Sequence, residues 1–347
     1  MGWIKGNKGN FVKNGGILLL SVVISLFLVE AFFRFFSFDF SHLPVKKLKT
    51  DSDWQVQRPL KILVIGDSQC VTDFSFPHLL AAKLPRNVEV IKMCESGCGP
   101  DHYLQFYSMA VRRYNPDMVV LSFYVGNDII NLLKFTEAPL KEKLKLYLGS
   151  TFETYHLARI AYSRIRYGIE RTIFKAKVRK EEKPQAEYSG EDYVSEVNVL
   201  MLQDAKRYPA IYKENLAVSS KDIKKAYDVF DSIMRSFMNK LNRNKTPLIL
   251  ISIPDALQVN IKYHEFFRNI GFITDSDMLT SNAPQQRLSD LSKKYNFDFI
   301  DALPDFRKRD SEVLYYLNDG HLNRKGHRYL ADLLLERLHQ KGYVDGP

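Results

Sequence analysis

The sequence predicts an α/β fold, a doubly wound sheet of about five parallel strands, and three observations carry that prediction. Residues 61–65, 88–93 and 118–124 are short, largely apolar and β-branched runs of the kind that form buried strands. Segments 76–84 and 103–114 between them have helical spacing, which makes the unit βαβαβ and its strands parallel. The same alternation returns after residue 219, with a long amphipathic segment, a strand at 247–253, a helix at 284–295, a strand at 297–301 and a last helix.

The chain opens differently. Lys5, Lys8 and Lys13 precede residues 15–29, which are apolar apart from small Gly and Ser residues. With Ala31, Phe32 and Phe33 beyond Glu30, the stretch approaches the roughly 20 residues that span a bilayer core. No small-x-small cleavage pattern follows it, so the expectation is an uncleaved transmembrane anchor rather than a signal peptide. The flanking lysines keep the N-terminus cytoplasmic and put the remainder outside, in a periplasmic or extracellular space. Residues 1–38 then form the cytoplasmic end and anchor. Residues 39–58 mix aromatics, lysines and aspartates without periodicity and read as a stalk, and 59–347 form the folded domain.

Within that domain, Ser219 or Ser220 can cap a helix whose Ile223, Ala226, Phe230, Ile233, Phe237 and Leu241 make one apolar stripe. The stripe is core. Pro284 opens the following helix, and Asn323 caps the last one, through Ala331, Leu334 and Leu338. The sum is a flavodoxin-like, three-layer arrangement. Residues of roughly 135–215 interrupt this rhythm and read as a helical cap. There Leu157, Ala161, Ile165, Ile169 and Ile173 recur every four residues among Arg159, Arg164, Arg166, Arg171, Lys175 and Lys177. This basic amphipathic helix either packs on the domain with a solvated charged side or meets anionic lipid or polysaccharide. Residues 179–190, polar with one proline, read as a loop.

The formal net charge of +10 is not accompanied by any base-reading signature, so a negatively charged membrane surface or polymer fits better than nucleic acid. With 347 residues and 45% hydrophobic content the chain can build its core unaided. The 3 cysteines, Cys70, Cys94 and Cys98, are too few for a disulfide scaffold and lack the spacing of zinc or thioredoxin motifs. Neither a metal nor an organic cofactor is expected.

Chemistry concentrates in four places. Gly66-Asp67-Ser68 directly follows a strand, which puts a hydroxyl at the carboxyl edge of the sheet. A serine needs a base to become a nucleophile and donors to hold the oxyanion it creates. Asp319-Gly320-His321, before the last helix, lies on the same edge and offers a base with an aspartate two residues away to orient it. Ser96-Gly97-Cys98-Gly99 and Gly126-Asn127-Asp128 follow the second and third strands; the Gly97 N–H, the Asn127 side chain and the Ser68 N–H could converge as donors. Cys70 stands where the second glycine of an α/β-hydrolase elbow would be, and the order of the groups also argues against that fold.

These four separated blocks together resemble the SGNH (GDSL) hydrolase family, over about residues 60–135 and 245–340. The resemblance implies Ser68 as nucleophile, His321 as proton shuttle, and Ser68, Gly97 and Asn127 as the oxyanion hole. Two positions depart from it. The family's aspartate commonly sits three residues before the histidine, where this chain has Asn318, so Asp319 or a backbone carbonyl must orient His321. Gln69 replaces the usual leucine, at a position the family varies and to which little weight attaches. In an oxidising compartment a disulfide from Cys70 to Cys94 or Cys98 could brace the oxyanion loop; three reduced thiols are the alternative. The expected function is an extracytoplasmic serine esterase acting on acyl, most often acetyl, esters of a cell-envelope polysaccharide, or on lipid esters. An O-acyltransferase using the same residues, or an inactive glycan-binding or assembly protein, are the rival expectations.

Overall fold

A computed structural model describes residues 5–35, 45–48, 59–137, 190–194 and 197–344. The chain divides into two units, one comprising residues 1–40 and 138–185, the other residues 41–137 and 186–347. Helix α1, Lys5–Phe35, belongs to the first. Its side chains described are those of 16–18 and 20–32, where Ile17 and Phe27 are 64% and 73% exposed. Among the described residues no helix is long and apolar enough to cross a membrane. The basic amphipathic stretch from Leu157 to Ile173, and the segment 179–189, lie outside the described residues.

The second unit is built on one six-stranded sheet of order β1-β3-β2-β4-β5-β6. Five strands are parallel: β2 (Leu60–Gly66), β3 (Val88–Cys94), β4 (Met118–Tyr124), β5 (Leu248–Ile253) and β6 (Asp298–Asp301). Every residue of β3, β4 and β5 is buried, as expected of a parallel sheet covered on both faces by crossover helices. The sixth strand, β1 (Val45–Leu48), corrects the reading of 39–58 as a stalk alone, because it pairs antiparallel with β3 at the sheet's edge. A four-residue strand containing two lysines has too short a pattern to register as a strand, and charged side chains suit an edge.

Helices α2 (Phe76–Lys83), α3 (Pro100–Tyr114) and α4 (Asp128–Glu137) follow β2, β3 and β4 in turn. Helices α5 (Val199–Arg207) and α6 (Ile211–Ala217), which fall in the stretch read as a cap, bury Met201, Ala205, Ile211 and Leu216 in the core of the second unit. Next comes α7 (Lys221–Arg243), N-capped by Ser220, whose hydroxyl accepts the Ile223 N–H at 3.2 Å. Its buried side is the predicted stripe with Met234 in place of Ile233 at its centre and with Tyr227 and Met238 added. Helix α8 (Ala283–Tyr295) leads into β6, and α9 (Arg324–Gln340) closes the chain, with Asn323 Oδ1 accepting the Gly326 N–H at 3.0 Å.

Strand order decides where a ligand can sit. β2 connects to β3 on one side, and the chain then crosses to β4 on the other. The carboxyl ends of β2 and β4 therefore flank a topological switch point, the place where open α/β sheets form their crevice.

Candidate active site

Ser68 begins immediately beyond the end of β2. Asp67 to Cys70 form one tight turn: Ser68–Cys70 is a single turn of 3-10 helix, and the Asp67 carboxylate caps it by accepting the Gln69 N–H at 3.0 Å. Asp67, Gln69 and Cys70 are fully buried while Ser68 is half-buried, so the turn presents the hydroxyl and hides its supports.

The last residue of the turn is covalently fixed. Cys70 is joined to Cys94, the last residue of β3, while the buried Cys98 lies outside the bridge and its thiol donates to the Glu95 carboxylate. Register makes this pairing available, since Gly66 lies opposite Cys94 in the β2–β3 ladder. A side chain at Gly66 would stand 2.7 Å from Cys70 Sγ and 2.9 Å from Ser122 Cβ, so only glycine leaves room for the bridge.

His321 lies in the loop between β6 and α9. Its Nε2 is 2.7 Å from Ser68 Oγ, and its Nδ1 is 2.8 Å from Asp319 Oδ1. The structure thus brings the three predicted residues into one hydrogen-bonded relay at the carboxyl edge of the sheet, across 253 residues of sequence. With Nδ1–H donating to Asp319, Nε2 is left as the acceptor for the serine proton. Burial lowers the affinity of the His321 imidazole for a proton, but the Asp319 charge and hydrogen bond, with the charge of Asp67, outweigh it. The imidazole titrates above its ordinary value, not at it. His327, close enough to feel the His321 charge, is pushed down to about 3 by burial, with His321 and Lys92 adding to the effect. It stays neutral at physiological pH.

Asn318 is occupied elsewhere. Its Oδ1 accepts the Val194 N–H at 2.8 Å and its Nδ2 donates to the Val194 carbonyl at 2.7 Å, so the amide docks the segment 190–194 on the loop that carries His321. An aspartate there would lack the donor for the second bond.

Gly97 and Asn127 follow β3 and β4 and so share the edge with Ser68. Gly97 is exposed and has φ of +78°, a left-handed conformation natural to glycine. Asn127 is half-buried beside Asp67, whose charge its amide helps to stabilise. Burial nonetheless leaves the Asp67 carboxyl above its usual range, with the Gln69 N–H, the His321 charge and Asn127 only partly offsetting it. Asp128 is raised further, by burial and then by Asp67, although Tyr103 Oη and the Tyr124 N–H both donate to it.

Two supporting residues carry no signal in their own sequence neighbourhoods. Gln69, at a position with little weight in the sequence reading, bonds the loop on both sides of His321: Nε2 donates to the Gly320 carbonyl at 3.2 Å, and Oε1 accepts the Leu322 N–H at 3.0 Å. Tyr124 Oη donates to the same Gly320 carbonyl at 2.8 Å. A buried glutamine beside a candidate nucleophile could have prompted the question of its partners, but its partners lie 251 and 253 residues away. Among the described residues no group of three or more His, Cys, Asp or Glu side chains is arranged to hold a metal ion.

No family model and no curated protein matches the chain. Among solved structures it is similar to the acetyl xylan esterase AlAXEase, at 16% identity over 80% of this chain and 99% of that one, with a TM-score of 0.42. It is also similar to a catalytic mutant of Axe2, an acetylxylan esterase from Geobacillus stearothermophilus, at 13% identity over 82% and 95% of the two chains, TM-score 0.40. A third similar structure is a lipase/acylhydrolase from Enterococcus faecalis, at 12% identity over 83% and 98%, TM-score 0.40.

Proposed function

We propose that the chain is a membrane-anchored, extracytoplasmic serine ester hydrolase of the SGNH type, and the Ser68–His321–Asp319 relay is the observation that carries this reading. His321 Nε2 takes the Ser68 proton as Oγ attacks an ester carbonyl. The oxyanion that forms is received by the N–H groups of Ser68 and Gly97 and the Asn127 side chain. Collapse expels the alcohol, which takes the proton from His321, and leaves an acyl group on Ser68. Water, deprotonated by the same imidazole, then releases the acid and restores the serine.

The preferred substrate is an acetyl or other acyl ester of a cell-envelope glycan, with lipid esters as the second class. The net charge of +10 and the N-terminal apolar stretch favour work close to an anionic surface. The apolar run of residues 15–29 after Lys5, Lys8 and Lys13 is the sequence feature that supports a single-pass anchor with its N-terminus in the cytoplasm. The Cys70–Cys94 bridge supports an oxidising compartment for the second unit.

The test is hydrolysis of p-nitrophenyl acetate by the full chain in detergent micelles, compared with Ser68→Ala. Activity falling to the buffer rate in a folded variant is the expected result. Equal rates in the two proteins would exclude Ser68 as the nucleophile. Acylated sugar formed in preference to free acid when a glycan acceptor is added would turn the reading into O-acyl transfer by the same residues.

A further inference from the structure

We propose that Gln69 is the positioning residue of the base: its carboxamide grips both peptide groups that flank His321 and so ties the base to the turn that carries the nucleophile. The inference rests on the hydrolase reading for its kinetic consequence, though its geometric content does not depend on turnover.

The Gly320 carbonyl belongs to the peptide bond entering His321, and the Leu322 N–H to the peptide bond leaving it. Gln69 donates to the first at 3.2 Å and accepts from the second at 3.0 Å. One rigid amide plane thereby restrains the backbone on both sides of a single residue. Its own backbone is no freer, because the Gln69 N–H is taken by Asp67 and the next residue is the disulfide-bonded Cys70. A short circuit results: from Ser68 through one peptide bond to Gln69, through its side chain to the His321 backbone, and through the imidazole back to Ser68 Oγ at 2.7 Å. Asp319 sets the rotation of the ring, while Gln69 sets the place from which the ring swings.

The chemistry of the position is demanding. Gln69 is fully buried, and Leu322 is 1% exposed. A leucine there would fill similar volume but leave the Leu322 N–H without its partner. A glutamate could accept from that N–H but would repel the Gly320 carbonyl. Tyr124 Oη would still hold the Gly320 carbonyl in either variant, at 2.8 Å, so the loop should remain near its place and lose accuracy rather than collapse.

The decisive comparison is between Gln69→Leu and Gln258→Leu in the full chain. Gln258 is an equally buried amide that donates to the Ser281 carbonyl and the Gln285 side chain and accepts the Asp255 N–H, none of which flanks His321, so its loss tests the cost of a buried amide away from the base. Expected for Gln69→Leu is a fall in kcat on p-nitrophenyl acetate of roughly ten- to a hundredfold with KM within about threefold, the signature of a misplaced base. Gln258→Leu should lower the melting temperature and leave kcat within about threefold. The second readout is the Cε1–H titration of His321 in chain carrying 13C-labelled histidine, its resonance identified among the 8 histidines by its absence from His321→Gln. Its midpoint should fall in Gln69→Leu, as the Asp319 pairing loosens, and stay unchanged in Gln258→Leu. Unchanged kcat and midpoint in Gln69→Leu, or matching changes in both variants, would overturn the proposal. A midpoint shift confined to Gln69→Leu in a chain without Ser68-dependent hydrolysis would leave the clamp standing and remove the hydrolase reading instead.

Discussion

Ser68 is held by its immediate neighbours, whereas His321 is held by side chains gathered from distant parts of the chain. On the nucleophile's side the cap, the turn and the bridged cysteine all fall within Asp67–Cys70, directly after a fully buried stretch of β2. On the base's side the loop from β6 to α9 has little regular structure of its own. Gln69 and Tyr124 hold Gly320, Tyr263 Oη accepts the Leu314 N–H at 3.0 Å, Tyr315 Oη donates to the Pro254 carbonyl at 2.7 Å, and Asn318 pairs with Val194. The lesson is that two halves of one relay can be positioned by different physics. A turn after a strand inherits its place from the sheet, while a long loop needs polar anchors, each of which must find its partner during folding.

The largest effects should come from the relay itself, and Asp319 is the member that tells the two sides apart. Asp319→Ala leaves the nucleophile's turn intact and removes the charge and hydrogen bond that raise the His321 imidazole. Turnover on p-nitrophenyl acetate should fall more than tenfold, a barrier increase above about 1.4 kcal/mol. The base must be neutral to accept a proton, so kcat/KM in the wild type should rise with pH through a midpoint above about 6.5, the ordinary imidazole value. In the variant that midpoint should move down, because burial, which lowers it, then meets less opposition. A loss smaller than tenfold with an unmoved midpoint would make the site a Ser68–His321 dyad.

Breaking the other side should register in stability first. The Cys70–Cys94 bridge closes a loop with a sequence separation of 24, and removing such a constraint costs about 3 kcal/mol in the loop-entropy account. Cys70→Ser combined with Cys94→Ser should therefore lower the unfolding free energy measured in urea by that amount, and the urea midpoint with it. Because the bridge joins the Ser68 turn to the strand that leads into the Gly97 loop, kcat should fall as well. A double variant with unchanged urea midpoint would show that the sheet alone fixes the turn.

The same contrast explains what the sequence made legible. The runs at 61–65, 88–93, 118–124 and 247–253 announce strands because each is buried on both faces, and Ser68, Gly97 and Asn127 follow directly from where those strands end. Ser220 and Asn323 were readable as caps because capping is a local bargain between a side chain and an N–H three residues on. By contrast, the tasks of Gln69 and Asn318 depend on partners 251 and 124 residues away, which no local pattern encodes. The choice of Cys94 over Cys98 turned on sheet register, which sets Gly66 opposite Cys94. β1 escaped notice because its pairing, not its composition, makes it a strand.

A smaller effect should come from beneath the base's loop, where Asp255 is buried next to the tyrosines that support it. Its Oδ1 accepts the Leu257 N–H at 2.8 Å, while Oδ2 is buried without a hydrogen-bond partner. Burial pushes this carboxyl up to about 7, with the Leu257 N–H only partly opposing it. Between its unfolded value, about 3.9, and about 7 the folded protein binds more protons than the unfolded chain, so stability declines as pH rises through that window and levels off above it. Across pH 5 to 7 the decline attributable to this group is on the order of 2 kcal/mol. Asp255→Asn keeps the acceptor for Leu257 and cannot ionise, so its urea midpoint should change less between pH 5 and 7 than that of the wild type. At pH 8 it should be at least as stable as the wild type. Parallel stability profiles for the two proteins would mean that Asp255 meets compensating polar contacts on the base's side of the site, and that the loop is better satisfied than its buried carboxylate indicates.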